Sequence, residues 1–256
     1  MELFYRHMGK GPPVIILHGL FGLSDNWVSF GRQLADSFSI YIPDLRNHGQ
    51  SAHSNIFDFP SLCADVLEFC EHHDLHDISL IGHSLGGKTA MLLALQHPEL
   101  LRNLIVVDIS LRKSPPDRQH QQLLDAMLAI DFSGAASRSD VERRLSERIN
   151  IAKIRQFLLK SVYWLDRHSL DWRLNLRAIN EHLLSVYEEI SWPGQFGKPS
   201  LFIRGGQSDY IREEDIPPIK KKFPGASFHT IVQASHWVHA DAPEEFYEVV
   251  REFLDR

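Results

Sequence analysis

The chain is short of cysteine, has no excess of positive charge and contains no long hydrophobic run. Cys63 and Cys70 are its only two cysteines in 256 residues. Seven positions apart on one expected helix, they stand roughly 10 Å apart along its axis, too far for a disulfide. A cystine-stapled secreted fold is excluded, and the cytoplasm is the expected compartment. The 27 Lys and Arg against 33 Asp and Glu leave a net charge of −6 with histidine neutral. That balance offers no electrostatic basis for a nucleic-acid partner or for docking on an anionic membrane. No apolar stretch reaches the roughly 18–20 residues that span a bilayer, and residues 1–7, MELFYRH, are too polar for the core of a signal peptide. Internal repeats and low-complexity tracts are lacking. No histidine pair combines zinc-ligand spacing with a third ligand, so neither metal nor organic cofactor is expected.

What is present is an ordinary globular composition, 43% hydrophobic and 23% charged, in a chain long enough to bury one large core. Strand-length apolar runs alternate with helical periodicity through the first half. Residues 3–7 read as a short edge strand and 14–17, VIIL, as a fully buried parallel one. A helix containing Trp27, Phe30 and Leu34 follows, with Ser24 or Asp25 as its cap. Strands are expected at 39–42, 78–81 and 104–107, with helices over 61–72 and 84–96 between them. This alternation predicts an α/β fold with a doubly wound, mostly parallel sheet and right-handed crossovers. From about 111 to 192 only helical segments are expected, at 121–130, 140–148 and 151–165. Alternation resumes at 200–203 and 227–232 and closes with an amphipathic helix over 243–254. The expected organisation is a core of residues 1–110 and 194–256, with a helical cap of 111–193 inserted after the strand ending at Asp108.

Gly82-His83-Ser84-Leu85-Gly86 fits G-x-S-x-G, with a strand before it and a helix after it. In that context the serine occupies a sharp turn whose flanking glycines relieve backbone crowding, and the helix N-terminus faces developing negative charge. A phosphate-binding loop fits less well, because Leu80 stands where its first glycine belongs. His18-Gly19-Leu20-Phe21-Gly22 follows the first buried strand, where the second oxyanion donor is expected. The N–H groups of Leu85 and of Leu20 or Phe21 are the candidates.

A serine hydroxyl needs a base. Of 15 histidines, His236 lies between the last strand and the final helix, at the carboxyl edge of the sheet beside the turn. His239 reads as a packing residue, and His18 and His83 as loop structure. For the acid, Asp209 follows the strand at 201–203 and Asp108 ends the preceding strand. Either can orient an imidazole, and either can be a simple loop cap. Phe132, Phe157, Tyr163, Trp164 and Trp172 are candidates to line an acyl pocket in the cap.

Together these segments resemble the α/β-hydrolase superfamily, and within it the small bacterial esterases of the YbfF type. The resemblance rests on HGLFG at 18–22, DLRNHGQS at 44–51, GHSLGGK at 82–88 and VVDIS at 106–110. It continues in QFLLKS at 156–161, WRLN at 172–175, GGQSDY at 205–210 and HWVHA at 236–240. It implies Asp108 as the acid, with Asp209 as the alternative, and Ser208 as a hydrogen-bonding support. It also implies a small-molecule partner, a short acyl ester or an acyl thioester such as an acyl-coenzyme A. Alternatives on the same fold are C–C bond hydrolysis, perhydrolysis and a non-catalytic ligand receptor. Dehalogenase and epoxide hydrolase chemistry are disfavoured, since those relatives carry aspartate where Ser84 stands.

Overall fold

Along β2 (Pro13–Leu17) side chains alternate between two cores. Ile15 and Leu17 point into one cluster, Val14 and Ile16 into the other, and all four are fully buried. A strand covered on both faces has no reason to alternate with polar residues, hence its continuous apolar run. The computed structural model describes residues 1–167 and 169–256. Besides β2, its central sheet contains β1 (Tyr5–Met8), β3 (Ser39–Pro43), β4 (Ile78–His83), β5 (Leu101–Val107), β8 (Ser200–Gly205) and β9 (Ala226–Ile231). The strand order is β1-β3-β2-β4-β5-β8-β9, with β1 antiparallel to β3 and every other pair parallel.

Helices cover both faces. On one side α1 (Val28–Leu34) and α10 (Pro243–Leu254) pack on the cluster that contains Ile16, Ile40 and Ile105. A 3-10 turn over Ser24–Asn26 precedes α1 and moves its cap to Trp27, so neither Ser24 nor Asp25 takes that role. On the other side lie α2 (Phe59–His72), capped by Asp58 through Ser61 N–H, and α3 (Leu85–Gln96). Cys63 and Cys70 are both free and buried on α2. From β2 the chain steps outward to β3 and then returns past β2 to β4. The carboxyl ends of β2 and β4 therefore flank a point where the winding reverses, the place where open α/β sheets form their ligand crevice.

Between β5 and β8 lies the cap, with α4 (Arg118–Leu128), α5 (Arg138–Ser146), α6 (Ala152–Leu159) and α7 (Leu176–Glu181). Helices alone were expected here, but β6 (Val162–Trp164) and β7 (Leu170–Trp172) form a two-stranded antiparallel hairpin. Three-residue strands are too short to display a period of two, and β6 occupies what reads as the tail of the helix expected over 151–165. After β8 come α8 (Ile216–Lys222) and, beyond β9, the short α9 (Val238–Asp241).

Asn175 and Lys88 are among the residues that fasten the segment between β5 and β8 to the sheet and its flanking helices. Asn175 caps α7 and donates through Nδ2 to Asn47 Oδ1 at 3.1 Å, while its own N–H reaches Asn47 O. Lys88, buried on α3, donates from Nζ to the carbonyls of Arg112 (3.1 Å), Tyr187 (3.3 Å) and Glu188 (2.5 Å). Burial, then the nearby Arg112 charge, lowers its pKa to about 8, with Glu188 and Glu189 opposing. No helix among the described residues is long and apolar enough to cross a membrane.

Candidate active site

Ser84 sits at the junction of β4 and α3 with φ 52° and ψ −115°, a backbone region that a non-glycine residue rarely enters. The turn is tight enough that a Cβ on Gly82 would lie 2.3 Å from Gly86 O, and one on Gly86 would lie 2.4 Å from Leu17 O. Both flanking positions thus exclude any side chain, which is the physical content of the G-x-S-x-G spacing. Gly19 brings the loop after β2 against this turn. A Cβ there would meet His83 Nδ1 at 2.8 Å and Ser84 Cβ at 3.3 Å.

That loop is positioned by two buried histidines. His18 donates from Nδ1 to Gly19 O (2.8 Å), and its Nε2 accepts from Leu45 N–H (3.0 Å). His48 donates from Nδ1 to Arg46 O (2.8 Å), and its Nε2 accepts from Phe21 N–H (3.2 Å). Burial holds both rings neutral, at about 4 for His18 and about 3 for His48. Of the two loop amides considered for the oxyanion, Phe21 is therefore engaged by His48. The N–H groups of Leu20 and Leu85 meet no acceptor among the described residues.

Asp108 follows β5 with φ 50° and is fully buried. Its Oδ1 accepts from Gly205 N–H at 2.9 Å, and its Oδ2 accepts from Ser208 Oγ at 2.5 Å. His236 Nδ1 reaches the same Oδ2 at 2.7 Å. The structure brings Asp108, Ser208 and His236 into one bonded group and leaves Asp209 outside it. Asp209 is exposed, and its backbone carbonyl accepts from Arg112 Nη2 at 3.0 Å.

The His236 ring is enclosed on its faces as well. Tyr210 stacks on it with centroids 3.9 Å apart and planes 19° apart, and His83 lies 4.8 Å away. His83 donates from Nε2 to His236 O at 2.9 Å and is kept neutral by burial. The Tyr210 hydroxyl donates to Asp117 Oδ2 at 3.2 Å, so the stacked ring is tied to the start of α4 in the cap. Tyr210 closes the GGQSDY segment but had no role assigned to it from the sequence, and nothing there pointed to Asp117, 93 residues away. His239 is half-buried and stacked on Trp27 at 4.0 Å, and it also lines the cavity beside His236.

Ser84 and His236 line one cavity of about 680 Å³ between sheet edge and cap, and Leu20, Phe21, Ser208 and Asp209 line it too. Ser84 Oγ makes no hydrogen bond to another described residue. With Nδ1 held by Asp108, Nε2 is the nitrogen of His236 left for a serine proton, and such contacts commonly tighten in the substrate complex. Of the five cap aromatics considered for the pocket, Phe157 alone lines this cavity. Phe132 and Trp172 pack on each other at 5.6 Å, Arg173 lies over Tyr163, and Trp164 is exposed. Among the described residues no group of three or more His, Cys, Asp or Glu is placed to hold a metal ion.

A switch-point crevice, a serine on a strained strand-to-helix turn and a histidine bonded to a buried aspartate define the α/β-hydrolase class. A model described as the alpha/beta hydrolase fold matches residues 12–161, and the chain belongs to that family. Within the family it is a carboxylesterase-type hydrolase. It is 36% identical to the sn-1-specific diacylglycerol lipase ABHD11 of Xenopus tropicalis, over 98% of this chain and 80% of that one. It is 30% identical to esterase YbfF of Escherichia coli K12, over 98% and 96%. Among solved structures, a marine microorganism esterase superposes with a TM-score of 0.95 at 39% identity, covering 98% of this chain and 99% of its own.

Proposed function

We propose that this esterase works by two-step acyl transfer through Ser84, on short-chain carboxylic esters and, by the same route, on acyl thioesters including acyl-coenzyme A. The observation that carries the reading is the 2.7 Å bond from His236 Nδ1 to Asp108 in a cavity shared with Ser84. Ser84 Oγ attacks the acyl carbonyl as His236 Nε2 takes its proton, and Asp108 stabilises the imidazolium that forms. The negative charge on the former carbonyl oxygen rests on the N–H groups of Leu20 and Leu85. One such donor is worth roughly 3–4 kcal/mol of transition-state stabilisation in another serine hydrolase. The C–O or C–S bond then breaks, and the leaving alcohol or thiol departs with the proton from His236. Water, deprotonated by the same imidazole, releases the acid and restores the serine.

Ser208, bonded to Asp108 Oδ2, supports this pair. Residues 1–110 and 194–256 form the catalytic core in this reading, and 111–193 form a cap that selects substrate. Similarity to diacylglycerol lipases and to a bacterial esterase supports ester cleavage as the activity. The test is Ser84→Ala with p-nitrophenyl acetate and p-nitrophenyl butyrate, together with labelling by a fluorophosphonate probe. Turnover is expected to fall by at least about 10⁴-fold, and labelling to vanish, in protein with an unchanged circular dichroism spectrum. Retained turnover removes Ser84 as the nucleophile. A wild-type protein that resists the probe removes the acyl-enzyme altogether.

A further inference from the structure

The cavity has two chemically distinct walls. One, along α6, offers the apolar surface of Ile151, Ile154 and Phe157, with Trp237 packed on Phe157 at 5.3 Å, and is edged by Lys153, Gln156 and Lys160. The other is polar, made by Asp117, Gln119 and His120 at the start of α4 and by the 207–210 loop. The bond from the Tyr210 hydroxyl to Asp117 joins its two parts. An acyl chain belongs against the first wall, because burying apolar surface there costs no hydrogen bond. The second wall is left for what the acyl group is attached to.

His120 is the notable group on that wall. Its Nδ1 lies 3.0 Å from the Tyr187 hydroxyl, which is also 3.4 Å from Asp117 O. Its ring stands edge-on to Phe21 of the oxyanion loop, with centroids 6.1 Å apart. Its Nε2 has no hydrogen-bond partner among the described residues, and the residue lines the cavity. Nε2 is also absent from the side-chain atoms that are both sealed from solvent and unpaired. Burial holds the ring neutral at about 4. If Tyr187 donates to Asp117 O, Nδ1 carries the ring proton and Nε2 accepts; if Tyr187 donates to Nδ1, Nε2–H donates. A hydroxyl satisfies either arrangement, whereas a carbonyl or an ether satisfies only one. An anionic group beside His120 would meet a neutral imidazole with the carboxylates of Asp117 and Asp209 on the same wall, since the lysines of the cavity, Lys153 and Lys160, belong to α6 and its C-cap.

We infer that His120 is a substrate-contacting specificity residue, which hydrogen-bonds a hydroxyl on the alcohol side of the ester. The preferred substrates are thus acyl esters of neutral, hydroxyl-bearing alcohols rather than of plain alkanols. This rests on the acyl-transfer reading above.

The test compares 2-hydroxyethyl butanoate with propyl butanoate, which differ by a hydroxyl in place of a methyl. The wild-type protein is expected to show a kcat/KM on the order of 10-fold or more higher for the hydroxyethyl ester, since a site built to bond a hydroxyl discriminates against an analogue lacking it. His120→Phe is expected to reduce that ratio to near unity. Equal kcat/KM for the two esters in wild-type protein overturns the assignment without any variant. So does a His120→Phe protein, folded by circular dichroism, in which both esters fall by the same factor. Failure of wild-type Ser84 to label with the fluorophosphonate sinks the acyl-enzyme reading instead, and is scored separately.

Discussion

Asp108 uses both carboxylate oxygens, one on Gly205 N–H and the other shared by Ser208 and His236. Replacing it with asparagine puts a donor where an acceptor is needed and favours the wrong imidazole tautomer. Asp108→Asn is expected to lower kcat by on the order of 10³–10⁴-fold, while Asp209→Asn stays within a few-fold. Parallel kinetics on p-nitrophenyl butyrate check this, and a larger loss at Asp209 would reverse the assignment. The places of Ser84 at a strand-to-helix junction and of His236 in the loop after the last strand were legible in the sequence. The choice of acid was not. It depends on β5 and β8 pairing with Val107 beside Ile203, which brings Gly205 and Ser208 to the Asp108 side chain. A spatial pairing of residues about a hundred positions apart leaves no local signature, and the resemblance, not the pattern of residues, pointed to Asp108.

The strand-to-helix turn shows how much an element can require of a single position. At Gly86 an added methyl would fall 2.4 Å from Leu17 O and 2.7 Å from His18 O, both backbone atoms that cannot swing away. Gly86→Ala is expected to cost about 2–4 kcal/mol, in the range of severe overpacking and backbone strain. Urea unfolding followed by tryptophan fluorescence measures it, and a loss under about 0.5 kcal/mol would mean the turn relaxes freely. The core strands and α10 were readable because apolar runs and amphipathic periods extend over many residues. The β6–β7 hairpin was not, and neither was the fate of the cap aromatics. Helical spacing says that Phe132 and Trp172 are buried, but whether they face a neighbour or a cavity depends on how α4 and the hairpin meet.

Over the whole molecule, buried neutral histidines set a limit on the acid side. His18 and His120 titrate at about 4, His48 and His239 at about 3, and His83 is also well lowered, all chiefly through burial. In the unfolded chain each takes a proton near pH 6.5. The unfolded state therefore binds more protons between roughly pH 6.5 and 4, and stability falls as pH drops through that window. Each ring contributes up to about 1.4 kcal/mol per pH unit. Tm at pH 5 is expected to lie about 10 °C or more below Tm at pH 7.5. Scanning calorimetry across that range checks it, and a flat profile would show that these rings charge without unfolding.

The Lys88 ammonium grips carbonyls on the segment that enters the cap, at Arg112, and on the one that leaves it, at Tyr187 and Glu188. Anyone building chimeras between such hydrolases inherits this dependence. A foreign set of helices seated on a core that lacks the lysine would leave three peptide oxygens without their donor, the one at Tyr187 in a buried position. Exchanging the segment between β5 and β8 thus requires carrying over the lysine that holds both of its ends.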